Sequence, residues 1–230
     1  MAKSQVSRMV EDYLKIIWKA QEWPGRSVST NEIAAVLGVT PSSVSANLKK
    51  LARDGFIDYQ PYGSIELTPS GREIAVGVVR RHRLLETYLV ERLGLGWDEV
   101  HPEADALEHA VSDLVLARMD EVLGYPDRDP HGDPIPRADG SVVPNLASRL
   151  SELLPGDEGR VVRISDQEPA ILRYLEARRI TVGTRIRVVA TDPEAGSVSV
   201  VRGDTGAKPT DGVEIALGAA DVMFISVAPR

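Results

Sequence analysis

The chain of 230 residues contains no cysteine. Disulfides, iron–sulfur clusters and thiolate zinc sites are therefore excluded, and any bound metal must take imidazole nitrogen or oxygen ligands. Long uncharged apolar runs are also missing, because charged residues such as Arg8, Asp12 and Lys19 interrupt the N-terminal segment. Neither a signal peptide nor a membrane span is predicted there. We therefore expect a cytoplasmic protein that does not contact a membrane.

Positive charge is in the minority, since the net charge is −7. Residues 1–80 nevertheless hold ten Lys and Arg against eight Asp and Glu, a balance of +2, which leaves −9 for the rest of the chain. This distribution permits a DNA-binding region near the N-terminus. With 43% hydrophobic residues, the chain is long enough to form two compact units.

The first forty residues have the pattern of two helices. Apolar residues recur at three- and four-residue spacing between Val6 and Ala20, which predicts an amphipathic helix. Ser29 and Glu32 have the spacing of a capping box, which predicts the start of a short second helix, and Gly38 predicts its end.

A third helix and a hairpin follow. Thr40 offers an N-cap oxygen, Pro41 suits the first helical position, and the helix is predicted to end near Asp54. Residues 56–59 and 64–67 have the composition of two short strands around a Pro-Tyr-Gly turn. Helix, turn, helix and hairpin is the order of a winged helix-turn-helix, which is a DNA-binding fold.

Two further helices are predicted after the hairpin. One opens at Thr68-Pro69 and runs to about Leu93, and the other runs from His101-Pro102 to about Leu123. Their apolar stripes need a partner surface, so we expect a homodimer. The stripes consist of Val78, Leu85 and Leu89 on one helix and Leu107, Val111 and Leu114 on the other.

The composition changes twice in the second half of the chain. Five prolines between 126 and 144 favour an extended linker, and β-rich runs with one helical stretch follow from Leu150 onward. A small barrel-like domain is predicted there. The expected domains are a winged helix-turn-helix at 1–73, a helical domain at 74–125, a linker at 126–149 and a β-rich domain at 150–230.

The third helix presents a polar face opposite its apolar stripe. Short hydroxyl and amide side chains there can approach base edges, while nearby cations can contact phosphates. The predicted DNA contacts are Lys3, Arg8, Thr40, Pro41, Ser42, Ser43, Asn47, Lys49 and Lys50. The alternative is that this face is merely solvated.

Histidines and carboxylates recur at helical spacing after the hairpin. His82 and Glu86 are four residues apart, and Asp105, Glu108 and His109 occupy positions i, i+3 and i+4. Each set would present its donors on one helical face. The two faces could converge on a divalent transition metal if the helices pack antiparallel.

Two more residues join this candidate site. His101 lies one turn before Asp105, and Asp12 on the first helix is the obvious additional acid. The alternative is a surface network of ion pairs. His131 falls in the proline-rich stretch and is left out of the site.

These motifs resemble those of the diphtheria-toxin-repressor family of metal-activated repressors and, within it, the manganese transport regulators. The resemblance covers nearly the full length of the chain. It is carried by EDYLKIIW at 11–18, VTPSSVSANLKKLARDGFI at 39–57, LTPSGR at 67–72, RRHRLLETYL at 80–89, HPEADALEHAVSD at 101–113 and LPGDEGRVVRI at 154–164.

The resemblance implies a mainly α-helical N-terminal part, for DNA binding, metal binding and dimerisation, followed by a small β-rich SH3-like domain. It also implies two metal sites per subunit. Asp12, Asp105, Glu108 and His109 would form the site that switches DNA binding, and His82, Glu86 and His101 the ancillary site. An ungapped match places Asp166 at one ligand position of the SH3-like domain and Arg163 at the other.

The resemblance also bears on the choice of metal. Iron-dependent members carry Met and Cys where this chain has Asp12 and Asp105, and carboxylates in place of sulfur donors favour manganese(II). Lys15 stands where some manganese regulators have a further acid. Iron(II), cobalt(II) and zinc(II) are expected to bind in vitro.

We therefore predict a manganese(II)-dependent repressor, not an enzyme, that binds double-stranded operator DNA as a homodimer and controls manganese-transporter genes. Metal would remove the repulsion among the clustered acids and fix the first helix, which orients the recognition helices. The alternatives are an iron(II)-dependent repressor of iron-homeostasis genes and a winged-helix regulator that answers to a small ligand. A metallohydrolase is the remaining rival, but no nucleophile, general base or motif for a small organic substrate supports it.

Overall fold

The computed structural model describes residues 6–22, 27–60, 63–137, 139–143, 147–203 and 212–227. Lys3 and the Pro61-Tyr62 turn, which figure in the sequence predictions, lie outside these residues. Among the described helices, none combines the length and the apolar character needed to cross a membrane.

The chain divides into two compact units. The first consists of the described residues up to 82, together with 108–111 and 136–141. The second consists of 83–107, 112–135 and the described residues from 142 to 227.

The first unit contains a helix-turn-helix built from α1 (Arg8–Gln21), α2 (Thr30–Leu37) and α3 (Pro41–Arg53). The predicted capping box is present, because the Ser29 hydroxyl accepts from the Glu32 amide at 3.2 Å and the Glu32 carboxylate accepts from the Ser29 amide at 2.7 Å. The reciprocal bonds satisfy amides that the first turn of α2 leaves unpaired.

The turn between α2 and α3 also follows the prediction. Gly38 ends α2 with a φ of +64°, a left-handed conformation that favours glycine. Thr40 caps α3, accepting from the amide of Ser43, and Pro41 occupies its first turn. The apolar stripe of α3, predicted to face the core, is buried: Val44, Leu48 and Leu51.

A two-stranded wing completes the DNA-binding fold. Strands β1 (Ile57–Tyr59) and β2 (Ile65–Leu67) pair antiparallel. The long helix α4 (Pro69–Leu93) follows with the bounds predicted from sequence. A Cβ at Gly71 would lie 1.9 Å from the carbonyl oxygen of Phe56, the residue before β1, so only glycine allows the first turn of α4 to approach this point so closely.

The prediction of one continuous helix from His101 to about Leu123 is wrong, because the structure has two helices in this range. These are α5 (Val100–Leu107) and α6 (Asp113–Val122). The Ser112 hydroxyl caps α6 by accepting from the Val115 amide at 3.3 Å, and the apolar spacing concealed this N-cap. Glu108 and His109 therefore lie in the turn after α5 and not within a helix.

The second unit contains a six-stranded antiparallel sheet of order β3-β8-β4-β5-β6-β7, which is the SH3-like domain. Its core is built from residues such as Leu150, Val161, Leu172 and Ile225. The elements are β3 (Ser148–Arg149), a 3-10 turn (Leu150–Glu152), β4 (Glu158–Ile164), α7 (Pro169–Glu176), β5 (Arg185–Asp192), β6 (Ser197–Arg202), β7 (Val213–Ala216), α8 (Leu217–Ala220) and β8 (Met223–Val227).

The proline-rich stretch packs more tightly than the extended linker we predicted. Residues 131–136 are all buried. The Ile164 amide donates to the His131 carbonyl at 2.9 Å, and a Cβ at Gly132 would lie 2.0 Å from the Val162 carbonyl oxygen. Proline prevented helix formation here, but it did not prevent packing against β4. The domain boundaries at 73, 125 and 149 stay predictions.

Candidate metal centres and DNA-binding surface

The first cluster, Asp12, Glu108 and His109, lies in the first unit. Each of the three residues offers a ligand atom within 4.8 Å of the others. His109 Nε2 lies 2.8 Å from Asp12 Oδ1 and 3.3 Å from Glu108 Oε1, and His109 Nδ1 lies 2.6 Å from Glu11 Oε2. Carboxylate oxygens thus approach both ring nitrogens, and imidazole nitrogen and carboxylate oxygen are common ligands of divalent metals. The arrangement therefore suits a dication.

Lys15 and His82 complete the surroundings of Glu108. Lys15 Nζ lies 2.7 Å from Glu108 Oε1, and His82 Nδ1 lies 2.7 Å from Oε2. Burial acts to raise the pKa of Glu108, but the bond from His82 and the charge of Lys15 outweigh it and lower that pKa. Burial raises the pKa of Asp12, against the lowering effect of His109. Lys15 thus already supplies one positive charge to this cluster.

The second cluster lies in the second unit and begins with Glu86, His101 and Asp166. His101 Nδ1 is 2.9 Å from Asp166 Oδ2 and 3.1 Å from Glu86 Oε1. The ring Nε2 is 3.7 Å from Asp105 Oδ2, one turn away on α5. Two carboxylates that approach the same ring nitrogen are well placed to share a cation with it. The structure therefore brings the predicted ligand Asp166 to Glu86 and His101.

His131, which the sequence analysis left out, belongs to this second cluster. Glu86, Asp129 and His131 are all buried and offer ligand atoms within 4.8 Å of one another. His131 Nε2 lies 2.7 Å from the Trp97 carbonyl oxygen and donates to it, while Nδ1 faces Glu86 Oε2 at 3.8 Å. Within the described part of the chain, the buried Nδ1 has no hydrogen-bond partner. That orphaned nitrogen fits a metal ligand.

The pKa shifts of His131 and Asp129 also indicate that the second cluster can bind a cation. Burial acts to lower the pKa of His131, but Glu86, with help from Asp129 and Asp166, outweighs it and raises that pKa to about 10. Burial, together with Asp133 and Glu86, raises the pKa of Asp129 to about 8. Both shifts reflect an excess of buried negative charge, which a bound dication would neutralise.

A buried network of ion pairs surrounds this cluster. The Arg83 guanidinium lies 3.7 Å from Asp129 and 3.6 Å from Asp133, and it donates to the Pro134 carbonyl at 2.7 Å. Arg163 pairs with Asp133. The position that resemblance matched to a ligand is thus occupied by a cation that pairs with an acid and does not bind a metal.

The predicted DNA contacts lie mostly on an exposed surface. Arg8 is exposed at the start of α1, and Thr40, Pro41, Ser42, Ser43, Lys49 and Lys50 are exposed on or beside α3. Asn47 is the exception, because it is partly buried and its amide donates to the Tyr13 hydroxyl at 3.0 Å. The hydroxyl of Thr40 lies 2.9 Å from those of Ser42 and Ser43.

Comparison with known proteins agrees with this geometry. Residues 5–65 match the iron dependent repressor N-terminal DNA binding domain, residues 68–137 the iron dependent repressor metal binding and dimerisation domain, and residues 148–229 the FeoA domain. The diphtheria toxin repressor of Corynebacterium glutamicum is 32% identical over 189 residues, which is 78% of this chain and 82% of that protein. The chain belongs to the diphtheria-toxin-repressor family.

Two further relatives are named after different metals. The iron-dependent repressor IdeR of Mycobacterium leprae is 34% identical over 83% of this chain and 87% of that protein. A solved manganese-dependent transcriptional repressor in complex with manganese is 46% identical, with a TM-score of 0.89 over 95% of this chain and 100% of that one. Like other members of the diphtheria-toxin-repressor family, this protein is a metal-dependent transcriptional repressor and not an enzyme. The predicted family and fold class are confirmed.

The residues that sequence reasoning missed are Asp129 and His131. Their signal was the run Asp-Pro-His-Gly-Asp at 129–133, in which a histidine lies two residues from each of two acids. The surrounding prolines predicted an extended linker without packed structure, so these two residues were not considered as ligands. Asp105 contacts His101, and its predicted place beside Asp12, Glu108 and His109 stays a prediction.

Proposed function

We propose that the protein is a manganese(II)-dependent repressor that acts in the cytoplasm. Loaded with metal, it binds double-stranded operator DNA as a homodimer and represses metal-uptake genes, manganese-transporter genes first among them. The observation that carries the proposal is the meeting of Asp12 with Glu108 and His109, because α1 continues from Asp12 into the helix-turn-helix.

The position of Asp12 couples metal binding to DNA binding in this proposal. A cation shared by Asp12, Glu108 and His109 holds α1 in a fixed place relative to that cluster. Without the cation, only Lys15 and the contacts of His109 offset the repulsion between the acids of the cluster, so α1 is held less firmly. Metal thereby favours one orientation of the DNA-binding surface through its differential affinity for two states of the protein.

Manganese is proposed from the chemistry of the donors. The two clusters offer carboxylate oxygen and imidazole nitrogen, and the chain has no cysteine. Oxygen-rich sites suit manganese(II), whereas sulfur donors favour softer metals. The 46% identical neighbour that was solved with manganese supports this choice. Iron(II) is the second candidate, because relatives at 32–34% identity are named iron-dependent.

Two metal sites per subunit are proposed. The first consists of Asp12, Glu108 and His109, with Asp105 as a further predicted ligand. The second consists of Glu86, His101 and Asp166, with Asp129 and His131 as donors found in the structure. His82 stays a predicted ligand of the second site: its Nδ1 pairs with Glu108 at 2.7 Å, a contact that orients the ring and leaves Nε2 as the donor.

The homodimer is supported by apolar surface on α6. Leu114 is 70% exposed, and Val115 and Val122 on the same helix are also exposed. Such residues on one helix are typical of an interaction face. By contrast, Val78 and Leu85, which we predicted to need a partner, are already buried within the chain.

The direct test measures DNA binding against metal. Fluorescence anisotropy or gel shifts with the promoter of its own gene and neighbouring metal-transporter promoters, with and without manganese, iron(II), cobalt(II) and zinc, report partner and effector together. We expect tight binding only with metal, and a preference for manganese at matched free concentrations. Equal affinity in chelator and in metal would overturn the proposal, and a response to iron(II) alone would replace manganese with iron.

A further inference from the structure

One hydrogen bond joins α1 to α3. The side-chain amide of Asn47 donates to the Tyr13 hydroxyl at 3.0 Å. Tyr13 is 2% exposed and Asn47 is partly buried, so the bond is largely shielded from water. Asn47 is the predicted DNA contact that does not lie on the exposed face of α3.

Tyr13 directly follows Asp12, the α1 acid of the first metal cluster. Successive residues of an α-helix point about 100° apart, so the two side chains leave α1 in different directions. One reaches His109, and the other reaches Asn47 on the recognition helix. Any rotation or shift of α1 that moves Asp12 onto a cation therefore also moves the Tyr13 hydroxyl.

The far end of α1 is attached to the wing. The Gln21 amide donates to the Ile65 carbonyl at 3.1 Å and to the Glu66 carboxylate at 3.0 Å. These bonds hold the C-terminal end of α1 on β2. With that end held, a movement at Asp12 displaces the neighbouring Tyr13 more than it displaces Gln21.

Its hydrogen bond makes Asn47 a poor reader of bases. Asparagine recognises adenine with one N–H and the carbonyl oxygen in the same plane, in a bidentate contact. Here the amide nitrogen is held by the buried Tyr13 hydroxyl, so the amide cannot turn freely toward a base, and the side chain is partly buried. Ser42 and Ser43 remain exposed on α3 for base contact.

We propose that Tyr13 and Asn47 are positioning residues, through which metal occupancy at Asp12 sets the orientation of the recognition helix. Asn47 acts through Tyr13 and does not read DNA. The inference rests on the proposed function, since it requires that DNA affinity depends on metal.

The test compares the wild type with Tyr13→Phe, Asn47→Ala and the double variant. The probe is a duplex selected from a random-sequence library by the manganese-loaded wild type. For each protein, anisotropy gives the Kd for this duplex in chelator and in manganese, and the ratio of the two measures coupling. Tyr174→Phe is the matched control, because it removes a hydroxyl that lies 3.2 Å from the Glu214 carbonyl oxygen in the other unit.

Each single variant should reduce the coupling ratio about three- to tenfold, the effect of one neutral hydrogen bond, and the double variant should lose no more. Manganese affinity without DNA should stay at the wild-type value, because no ligand has changed. The base preference of Asn47→Ala in a second round of selection should match that of the wild type. Tyr174→Phe should keep the full ratio.

The other outcomes are distinct. If the wild type binds the duplex with the same Kd in chelator and in manganese, the proposed function itself is refuted. A metal-dependent wild type with an unchanged ratio in Tyr13→Phe, or with equal losses in chelator and manganese, overturns the coupling role alone. An altered base preference in Asn47→Ala that Tyr13→Phe does not share would make Asn47 a base reader.

Discussion

The two candidate metal clusters differ in how their negative charge is balanced. In the first, the Lys15 ammonium lies 2.7 Å from Glu108, and the Asp12 side chain is 31% exposed. In the second, Glu86 and His131 are fully buried and Asp129 is 6% exposed. Arg83 offsets part of that charge, but it is shared between Asp129 and Asp133.

This difference suggests a division of labour. Buried carboxylates are costly unless cations offset their charge, so we expect a bound cation to stabilise the second cluster in addition to Arg83 and His131. The first cluster contains the Lys15 ammonium, and its proposed ligand Asp12 lies on a helix that leads to the helix-turn-helix. We therefore expect the second cluster to act mainly on stability and the first mainly on DNA affinity.

Removal of manganese should have the largest effect, which is a loss of thermal stability. This loss should arise mainly at the second cluster. A ligand at 100 to 1,000 times its Kd stabilises the folded state by about 2.7 to 4.1 kcal/mol. Thermal unfolding in chelator and in excess manganese measures this difference. Glu86→Gln should abolish most of the stabilisation, whereas Asp12→Asn should retain it. The reverse order would show that the first cluster is the structural one.

His131→Ala tests the donor that the sequence analysis omitted. Removal of an outer partner of a metal ligand typically costs 10- to 100-fold in affinity, so loss of a ligand should weaken one of two manganese sites by about 100-fold or more. Calorimetric titration would then show a single tight site per subunit. Asp98→Asn, an acid that pairs with Arg173 outside both clusters, is the control. Two unchanged sites in His131→Ala would remove His131 from the ligand set.

Asp12→Asn should reduce the dependence of DNA affinity on manganese. The variant keeps the size of the side chain but loses the charge that attracts the cation, so the gain in DNA affinity on adding manganese should fall about 10- to 100-fold. Stability should change little, because the side chain is 31% exposed. Asp54→Asn, an exposed acid at the end of α3, is the control. Undiminished metal dependence in Asp12→Asn would contradict the switch.

The local elements were predictable from sequence because each has its signal in neighbouring residues. Ser29 with Glu32, Gly38, and Thr40 with Pro41 fix the helix ends, and the structure confirms all three. The break before α6 was missed, since the Ser112 cap lies within an apolar spacing that continues across it. Periodicity detects a helix more reliably than an interruption in one.

The candidate sites were predictable only where spacing along a helix decides them. His82 and Glu86 are one turn apart, as a shared site requires, but spacing does not reveal that His82 Nδ1 pairs with Glu108 and that Glu86 pairs with His101. Such choices depend on tertiary packing, which no local pattern contains. His131 was discounted for the same reason, because composition predicts exposure while contacts with β4 bury the segment.

Substitution of Lys15 should have the smallest of these effects, a change in manganese affinity at the first cluster. It tests whether the two clusters differ because one of them contains its own cation. Lys15 competes with any metal for Glu108, to which it lies 2.7 Å away. Lys15→Gln removes that competing charge, so manganese affinity at the first cluster should rise about three- to tenfold. The metal-free protein should lose stability, because the buried Glu108 loses its lysine partner and keeps only histidines beside it. Titration in a Glu86→Gln background isolates the first cluster, and Lys15→Arg, which keeps the charge, is the control. If Lys15→Gln binds manganese more weakly, Lys15 supports the shape of the site, and the two clusters do not differ by a built-in cation.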